Sequence, residues 1–592
     1  MIADVTITKR EPLAGGALFG ASGAYERIEG VATGALDPAH PANRGIVLLD
    51  QAPRDPAGLV AYRSAFILFR PANPILGNGR LLYEVNNRGR VMMLANLCAG
   101  ATGNAPTDLG NALPLRLGFS LLWTGWDPAA PKLTGLWLEA PRIKGFTRAI
   151  REEFVSGTRR GAFETFPLAH PSIRVTGVTV RRTQFAPRIP VPFIDHENGT
   201  VALSPEGTKP VTGSIYEIRY EATDPIPQGI GFAATRDLVS HIRSHGATFT
   251  GRAITHALAF GISQAGRYLR DHIAEGFNTD ITGNRVFDGV LTHVAGIGRV
   301  FLNTPFAQPF RTRTAHEDHD FPECAFPFSA AAMTDPLTGA TGAIARGDAS
   351  DPKWIETNTA TEYWQKGASL LHTDPMGQRD VALPDHVRGY LIAGTQHGGK
   401  AGMPRDNGPC AAPRNWHDPM PAVRALLVAL DEWVTFDRPP PESCLPRIDD
   451  GTLVSARQVR FAALPGLIPP AATNDVSPLP DWIDPTGPEK SWTALVPQTD
   501  ADGNEIAGIR LPDIAVPIGT FTGWNRYREP WPAGEFADRD GAFLAFAAKP
   551  GTDDPRPSMQ ERYPNPTSRA DRVRDAAGAL IARRLLLAED AP

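Results

Sequence analysis

A chain of 592 residues is too long for one compact core, so a large domain with insertions, or two to three domains, is expected. The formal charge of −5, with no long Lys/Arg block, argues against nucleic acid or an anionic membrane as a partner, and no apolar run reaches the roughly 18 residues of a membrane span. Fifty-seven glycines and 56 prolines describe many turns and ordered loops, the composition of a loop-rich globular enzyme acting on a small molecule.

Met1 to Arg10 lacks the basic head and apolar core of a secretory signal. The chain is expected to be soluble, and either cytoplasmic or, with a leader removed, periplasmic or secreted. Cys98, Cys324, Cys410 and Cys444 are too few and scattered for a disulfide framework or zinc knuckle; buried free thiols are preferred over a single Cys324–Cys410 bridge.

Alternating runs at Ala3 to Ile7, Tyr25 to Thr33, Gly45 to Asp50 and Tyr62 to Arg70 predict antiparallel strands. Gly79 to Val85 reads as a buried strand running into Asn86-Asn87-Arg88-Gly89-Arg90, the expected source of one backbone oxyanion donor, centred on Arg88. Gly118 to Thr124 is the next strand, followed by Trp126 as core or pocket wall. Residues 128–220 read as a β-rich insertion, and Gly231 to Arg243 as an amphipathic helix.

The organising stretch is Ala257-Leu-Ala-Phe-Gly261-Ile-Ser263-Gln264-Ala265-Gly266. A short apolar run is followed from Gln264 by helical spacing, so Ser263 stands on a sharp strand-to-helix turn, the setting of a nucleophile elbow. Ala265 replaces the second glycine of Gly-x-Ser-x-Gly, a small-for-small exchange. Val286 to Ala295 is a further strand. The Pro- and Phe-rich stretch 296–351, which contains Asn303 and Phe306, reads as a lid or pocket loop. Its His316-Glu-Asp-His319 has no zinc spacing and reads as a solvated charged turn.

Lys353 to Trp364 and Val387 to Gly399 are expected as the last strands, each ending in an ionisable residue within a loop, Glu362 and His397. Serine, then acid, then histidine is the α/β-hydrolase chain order. Ser263 needs a base and the base an orienting carboxylate. His397 in Gln-His-Gly-Gly is preferred over His293, and Glu362 over Glu356 and Asp374. Gln264 and Arg88 are the oxyanion donors expected, and Asn87, Gly89, Trp126, Asn303 and Phe306 the pocket residues; no metal and no cofactor is called for. Pro421 to Val434 and Ser568 to Glu589 read as helices.

Asn87-Arg-Gly89, Gly261-Ile-Ser-Gln-Ala-Gly-Arg267, Thr361-Glu-Tyr-Trp364, Gly394-Thr-Gln-His397-Gly, Gly523-Trp-Asn525 and Asp554-Pro-Arg-Pro-Ser558 with Glu561-Arg-Tyr563 together resemble a family of large bacterial α/β hydrolase domain proteins, over most of the chain. The resemblance implies an α/β-hydrolase fold and a serine esterase, with Ser263, Glu362 and His397 at the motif positions. Many members carry an export signal that this chain lacks. The expectation is therefore a catalytic domain over 1–436, a Pro-rich region and terminal helix over 437–592 packing on it, and hydrolysis of a small ester. Amidase, lactonase, acyltransferase and non-catalytic binding readings stay open, as does oligomeric state.

Overall fold

The computed structural model describes residues 1–592 apart from 131, 133–134, 158–164, 184–185, 197–198, 205–210, 310–322, 401, 404–405, 462, 465–466, 479–489 and 552. A ten-stranded sheet forms its centre. Its long strands are β1 (Ile2–Pro12), β2 (Tyr25–Leu36), β3 (Val60–Pro71), β4 (Arg80–Glu84), β5 (Ser120–Thr124), β6 (His256–Ile262), β7 (Gly289–His293), β8 (Lys353–Thr359) and β9 (Val387–Ile392). They lie in the order β1-β2-β3-β5-β4-β6-β7-β8-β9, and a short strand, Leu138–Glu139, branches from β3.

The sheet has two characters. β1, β2, β3 and β5 pair antiparallel in turn, whereas every pairing from β5 through β4 and β6 to β9 is parallel. The sequence explains the difference. β2 buries Ile28, Ala32 and Leu36 and leaves alternate residues half-exposed, the period of a one-faced antiparallel strand. In β6 every residue from Ala257 to Gly261 is buried, as a central strand covered on both faces requires. Charged Lys9, Arg10 and Glu11 and the terminal Pro12 lie on β1, at the open edge, where they discourage further pairing.

Helices cover both faces. α1 (Ile230–Ser244) and α2 (Gln264–Ala274) share a core with β2, β4 and β6 through Phe232, Leu238, Tyr268 and Leu269. On the other face α4 (Met420–Phe436) buries Val423, Leu426, Leu427 and Leu430 against Leu258, Phe260 and Leu291, and α5 (Pro566–Ala582) adds Ala577 and Leu580 to the same core. Between α2 and α4 in sequence, α3 (Ala360–Gln365) follows β8 directly.

Three expectations change. Gly45 to Asp50 forms turns and no strand, because the Asn303 amide takes up the local backbone: Val47 N–H donates to Asn303 Oδ1 (2.8 Å), and Asn303 Nδ2 donates to the Gly45 carbonyl (2.7 Å). Lys353 to Trp364 is strand only to Thr359, where a Thr359/Glu362 capping box starts α3. The last helix stops at Ala582; Arg584 takes φ +60°, and Leu585 and Leu586 turn back into the core. The preferred reading of the cysteines holds: all four are free, with Cys98, Cys324 and Cys410 buried and Cys444 half-buried.

Between β5 and α1 lies a second β unit. Its larger sheet orders Ile189–Pro190, Ser172–Arg181, Ile215–Thr223 and Thr147–Val155; a three-stranded sheet, Phe193–His196, Thr200–Leu203 and Thr165–Pro167, accompanies it. Phe154, Phe166, Tyr216 and Tyr220 form its own core. Among the described residues no helix is long and apolar enough to cross a membrane.

Candidate active site

Ser263 joins β6 to α2 with φ 56° and ψ −113°, a conformation non-glycine residues rarely hold and one that costs about 1–3 kcal/mol. Its surroundings enforce it. Ser263 N–H donates to the His293 carbonyl at 2.8 Å, and its own carbonyl accepts Arg267 N–H at 3.0 Å as α2 begins. Gly261 is required, since a Cβ there would sit 2.5 Å from the Ala265 oxygen and 2.6 Å from its carbonyl carbon. A Cβ at Gly266 would meet nothing nearer than the Ala295 Cβ at 3.1 Å, so the tight contact of this turn falls on Gly261.

The side chain of Ser263 meets His397. Ser263 Oγ lies 3.0 Å from His397 Nε2, and His397 Nδ1 lies 2.5 Å from Glu362 Oε1. Glu362 is fully buried at the third position of α3, and its other oxygen accepts both the N–H and the hydroxyl of Thr359. Burial pushes the Glu362 carboxyl up, but the adjacent His397 and the Thr359 donors outweigh it and hold the group below the usual carboxylate range. The competing residues are committed elsewhere. Glu356 is ion-paired with Arg270, Asp374 accepts the N–H groups of Met376, Gln378 and Arg379 in a turn, and His293 bonds Thr357 instead of the serine hydroxyl.

These groups open into a cleft of about 1290 Å³, whose walls include Asn87, Arg90, Ile262, His293, His417 and Met420. The loop after β4 behaves differently from expectation. Asn87 N–H donates to the Arg90 carbonyl (2.8 Å), Arg88 N–H to the Asn86 carbonyl (3.0 Å) and Gly89 N–H to Asn86 Oδ1 (2.5 Å). Arg88 turns its guanidinium to Asp127. The Arg88 and Gly89 donors are therefore spent on the loop itself, through Asn86. The Asn87 amide does line the cleft, and its Oδ1 is buried without a protein partner among the described residues.

Three other pocket expectations are corrected. Trp126 is buried behind this loop, donating to the Asn86 carbonyl and packing on Tyr268. The Asn303 amide is consumed by Gly45, Val47 and Glu275. Phe306 plugs the core of the second β unit beside Phe146 and His170. None of the three lines the cleft. The same loop reaches the elbow from outside: Gln264 Nε2 donates to the Pro309 carbonyl, while Ala307 and Gln308 bond His170 and the Arg151 carbonyl of the β unit. His316 to His319 lies outside the described residues; among those described, no group of three or more His, Cys, Asp or Glu is placed to hold a metal ion.

Sequence reasoning missed the frame behind the acid and base. Thr361 Oγ1 donates to the Gly523 carbonyl (2.7 Å), Gln365 bonds Ala537 and Arg539, and a Cβ at Gly523 would lie 2.3 Å from the Ala360 carbonyl carbon. On the histidine side, Asn415 Nδ2 donates to the carbonyls of Gly394 and Thr522 (both 2.9 Å), Gly541 N–H to Gln396 Oε1 (2.7 Å), and Gly394 N–H to Glu505 (2.5 Å). Residues 505 to 541 thus form a clasp, with Gly523 and Trp524 against α3 and Glu505, Thr522 (through Asn415) and Gly541 on the His397 loop. Its signal in the sequence was the Gly523-Trp-Asn525 motif in an irregular Pro-rich region, which says nothing of its partner.

A sheet entered antiparallel and finished parallel, with helices on both faces, agrees with what comparison finds. A family model described as Alpha/beta hydrolase domain matches residues 200–592. The chain belongs to the alpha/beta hydrolase domain family. No curated protein matches it. The matched part of this alpha/beta hydrolase holds Ser263, Glu362, His397 and the clasp; β1 to β5 and the Asn87 loop lie before it.

Proposed function

We propose that this alpha/beta hydrolase is a serine esterase that cleaves a small carboxylic ester through an acyl-enzyme on Ser263. The observation carrying the reading is His397 lying between Ser263 Oγ (3.0 Å) and the buried Glu362 carboxylate (2.5 Å) at the wall of a cleft. An alcohol is a poor nucleophile unless a base takes its proton as it attacks. His397 Nε2 is in reach to do so, and Glu362 fixes the tautomer with Nδ1–H and offsets the imidazolium that forms.

In acylation Ser263 Oγ bonds to the ester carbonyl carbon and its proton passes to His397. The oxyanion takes the N–H of Gln264 at the start of α2, where the helix dipole is favourable. Its second donor is the Asn87 side-chain amide, since the backbone donors of that loop are engaged. Collapse expels the alcohol, which takes the proton back from His397, and water then repeats the sequence on the acyl group. No step needs a metal or cofactor.

Intact-mass labelling with a fluorophosphonate and turnover of 4-nitrophenyl acetate and butyrate test the reading. Wild type is expected to give one adduct, lost in Ser263→Ala, with turnover down about 10⁶-fold there and in His397→Ala and about 10⁴-fold in Glu362→Gln. Wild type that neither labels nor turns over an ester overturns it. A matched anilide hydrolysed as fast as the ester would move the assignment to amidase.

A further inference from the structure

The cleft that holds Ser263 takes another wall from far along the chain. Leu586, Asp590 and Pro592 line it, together with Arg424 and Met420 of α4 and Asn96 of the short helix Met93–Leu97. Leu586 shares a core with Met420 and Leu511, and Ile262, the residue before Ser263, packs on that core. The elbow and the 586–592 stretch are thus two walls of one space.

Charged side chains pin this stretch in place. Arg424 Nε donates to both oxygens of Asp590 (3.1 and 2.9 Å), and Nη2 donates to Oδ1 (2.6 Å). Arg424 Nη1 donates to the Asn96 carbonyl (3.2 Å), and Asn96 Nδ2 to the Met92 carbonyl (2.7 Å). The Arg424 and Asp590 side chains are only 7% and 3% exposed. A buried two-pronged pair of this kind resists parting, since either charge alone would stand desolvated and unmatched. Beside it, Arg116 donates to both oxygens of Glu589 (2.7 and 2.6 Å), and Arg584 Nη2 donates to Glu432 (2.5 Å). The wall is therefore fixed to α4 rather than free to swing.

Volume and chemistry indicate what it receives. A cleft of about 1290 Å³ exceeds the roughly 300–1,000 Å³ usual for a drug-sized ligand, so a two-carbon acyl group would leave most of it unused. Arg424 and Asp590 cancel each other's charge, and the lining beside them, Leu586, Met420 and Leu511, is apolar. An apolar group gains by leaving water for such a surface. We propose that Leu586 to Pro592, locked by the Arg424–Asp590 pair, form the specificity wall of this site: the apolar acyl or alcohol group of the ester lies along Leu586, and the wall sets how long that group can be. The proposal rests on the esterase reading of Ser263.

Two substrate series test it. 4-Nitrophenyl esters from acetate to decanoate vary the acyl group, and alkyl acetates from ethyl to decyl vary the alcohol. In one of the two series, Leu586→Ala is expected to raise the ratio of kcat/KM for the longest member to that for the shortest by about 10-fold over wild type, and Leu586→Phe to lower it by about 10-fold. That ratio separates a specificity wall from a merely structural leucine, whose loss would slow every member alike. Arg424→Met combined with Asp590→Ala releases the stretch without leaving one charge buried alone, and its ratio is expected to rise as in Leu586→Ala. Ratios within about twofold of wild type in both series, or Leu586→Ala and Leu586→Phe moving the ratio the same way, overturn the proposal. A folded double variant with wild-type ratios does so too, and it decides the matter should the Leu586 variants not fold. Wild type without fluorophosphonate labelling or ester turnover instead removes the esterase reading, and this proposal with it.

Discussion

The serine and its two partners are held in different ways. Ser263 is fixed locally, by Gly261 against Ala265, by the first turn of α2 and by one bond to the adjacent β7. Beyond the Thr359 capping box, Glu362 and His397 are braced from a distance, by residues 505 to 541 that lie more than a hundred positions later in the chain and clasp α3 and the His397 loop. A local device fails at one residue and fails completely. A distant clasp shares its load among several contacts, so single changes should loosen it by degrees.

Gly261→Ala attacks the local side and carries the largest expected effect. The added methyl would stand 2.5 Å from backbone oxygen at Ala265, which cannot swing away as a side-chain tip could. The turn must open, displacing the hydroxyl and the Gln264 N–H together. Turnover is expected to fall about 10³-fold or more, with fluorophosphonate labelling nearly abolished. A Gly261→Ala protein that labels at the wild-type rate would show that the elbow tolerates what the geometry forbids.

Gly523→Ala tests the distant side. Its methyl would meet the Ala360 carbonyl carbon at 2.3 Å and the Thr361 nitrogen at 2.6 Å, pushing on the first turn of the helix that carries Glu362. The expected loss in kcat is about 10- to 100-fold, with labelling slowed in proportion but complete at long times. Asn415→Ala removes the two bonds that tie Gly394 to Thr522, and stability is expected to fall by about 1–3 kcal/mol in a denaturant titration, with a loss in kcat below that of Gly523→Ala. Equal damage from Gly261→Ala and Gly523→Ala would erase the distinction between the two sides.

This contrast also marks what the sequence makes legible. The elbow can be read because strand, turn and helix signals are contiguous, and the parallel core because β6 is apolar at consecutive positions. The chain order of acid and base can be read, but not that Glu362 opens a helix. Thr359-Ala-Thr-Glu362 has the spacing of a capping box, yet the apolar run before it reads as continuing strand. The fate of the Arg88 and Gly89 N–H groups depends on where Asn86 points its amide, which no local pattern encodes. Trp126 and Phe306 show the same limit from another side, since an aromatic in a core and one in a pocket wall have the same sequence signature. The clasp is illegible because its partners lie beyond any local window.

The smallest expected effect is one of pH, and it belongs to the distant side alone, as Gly261 to Gly266 contains no ionisable side chain. Glu505 is fully buried beneath the His397 loop, its carboxylate accepting Gly394 N–H. Burial pushes its pKa from 4.5 up to about 7, against the opposing backbone bond. Between those values the unfolded chain has lost a proton that the folded protein keeps, so stability is full below pH 4.5 and declines as pH rises through about 7. A shift of that size corresponds to about 3 kcal/mol. Glu505→Gln retains an oxygen for Gly394 and cannot ionise, so its stability relative to wild type is expected to rise from pH 4.5 to 7 and then level off. Denaturant titrations of both proteins across that range give the comparison directly. Parallel curves would mean that Glu505 ionises in the folded protein as readily as in the unfolded chain, and that the clasp carries no buried charge cost that the elbow lacks.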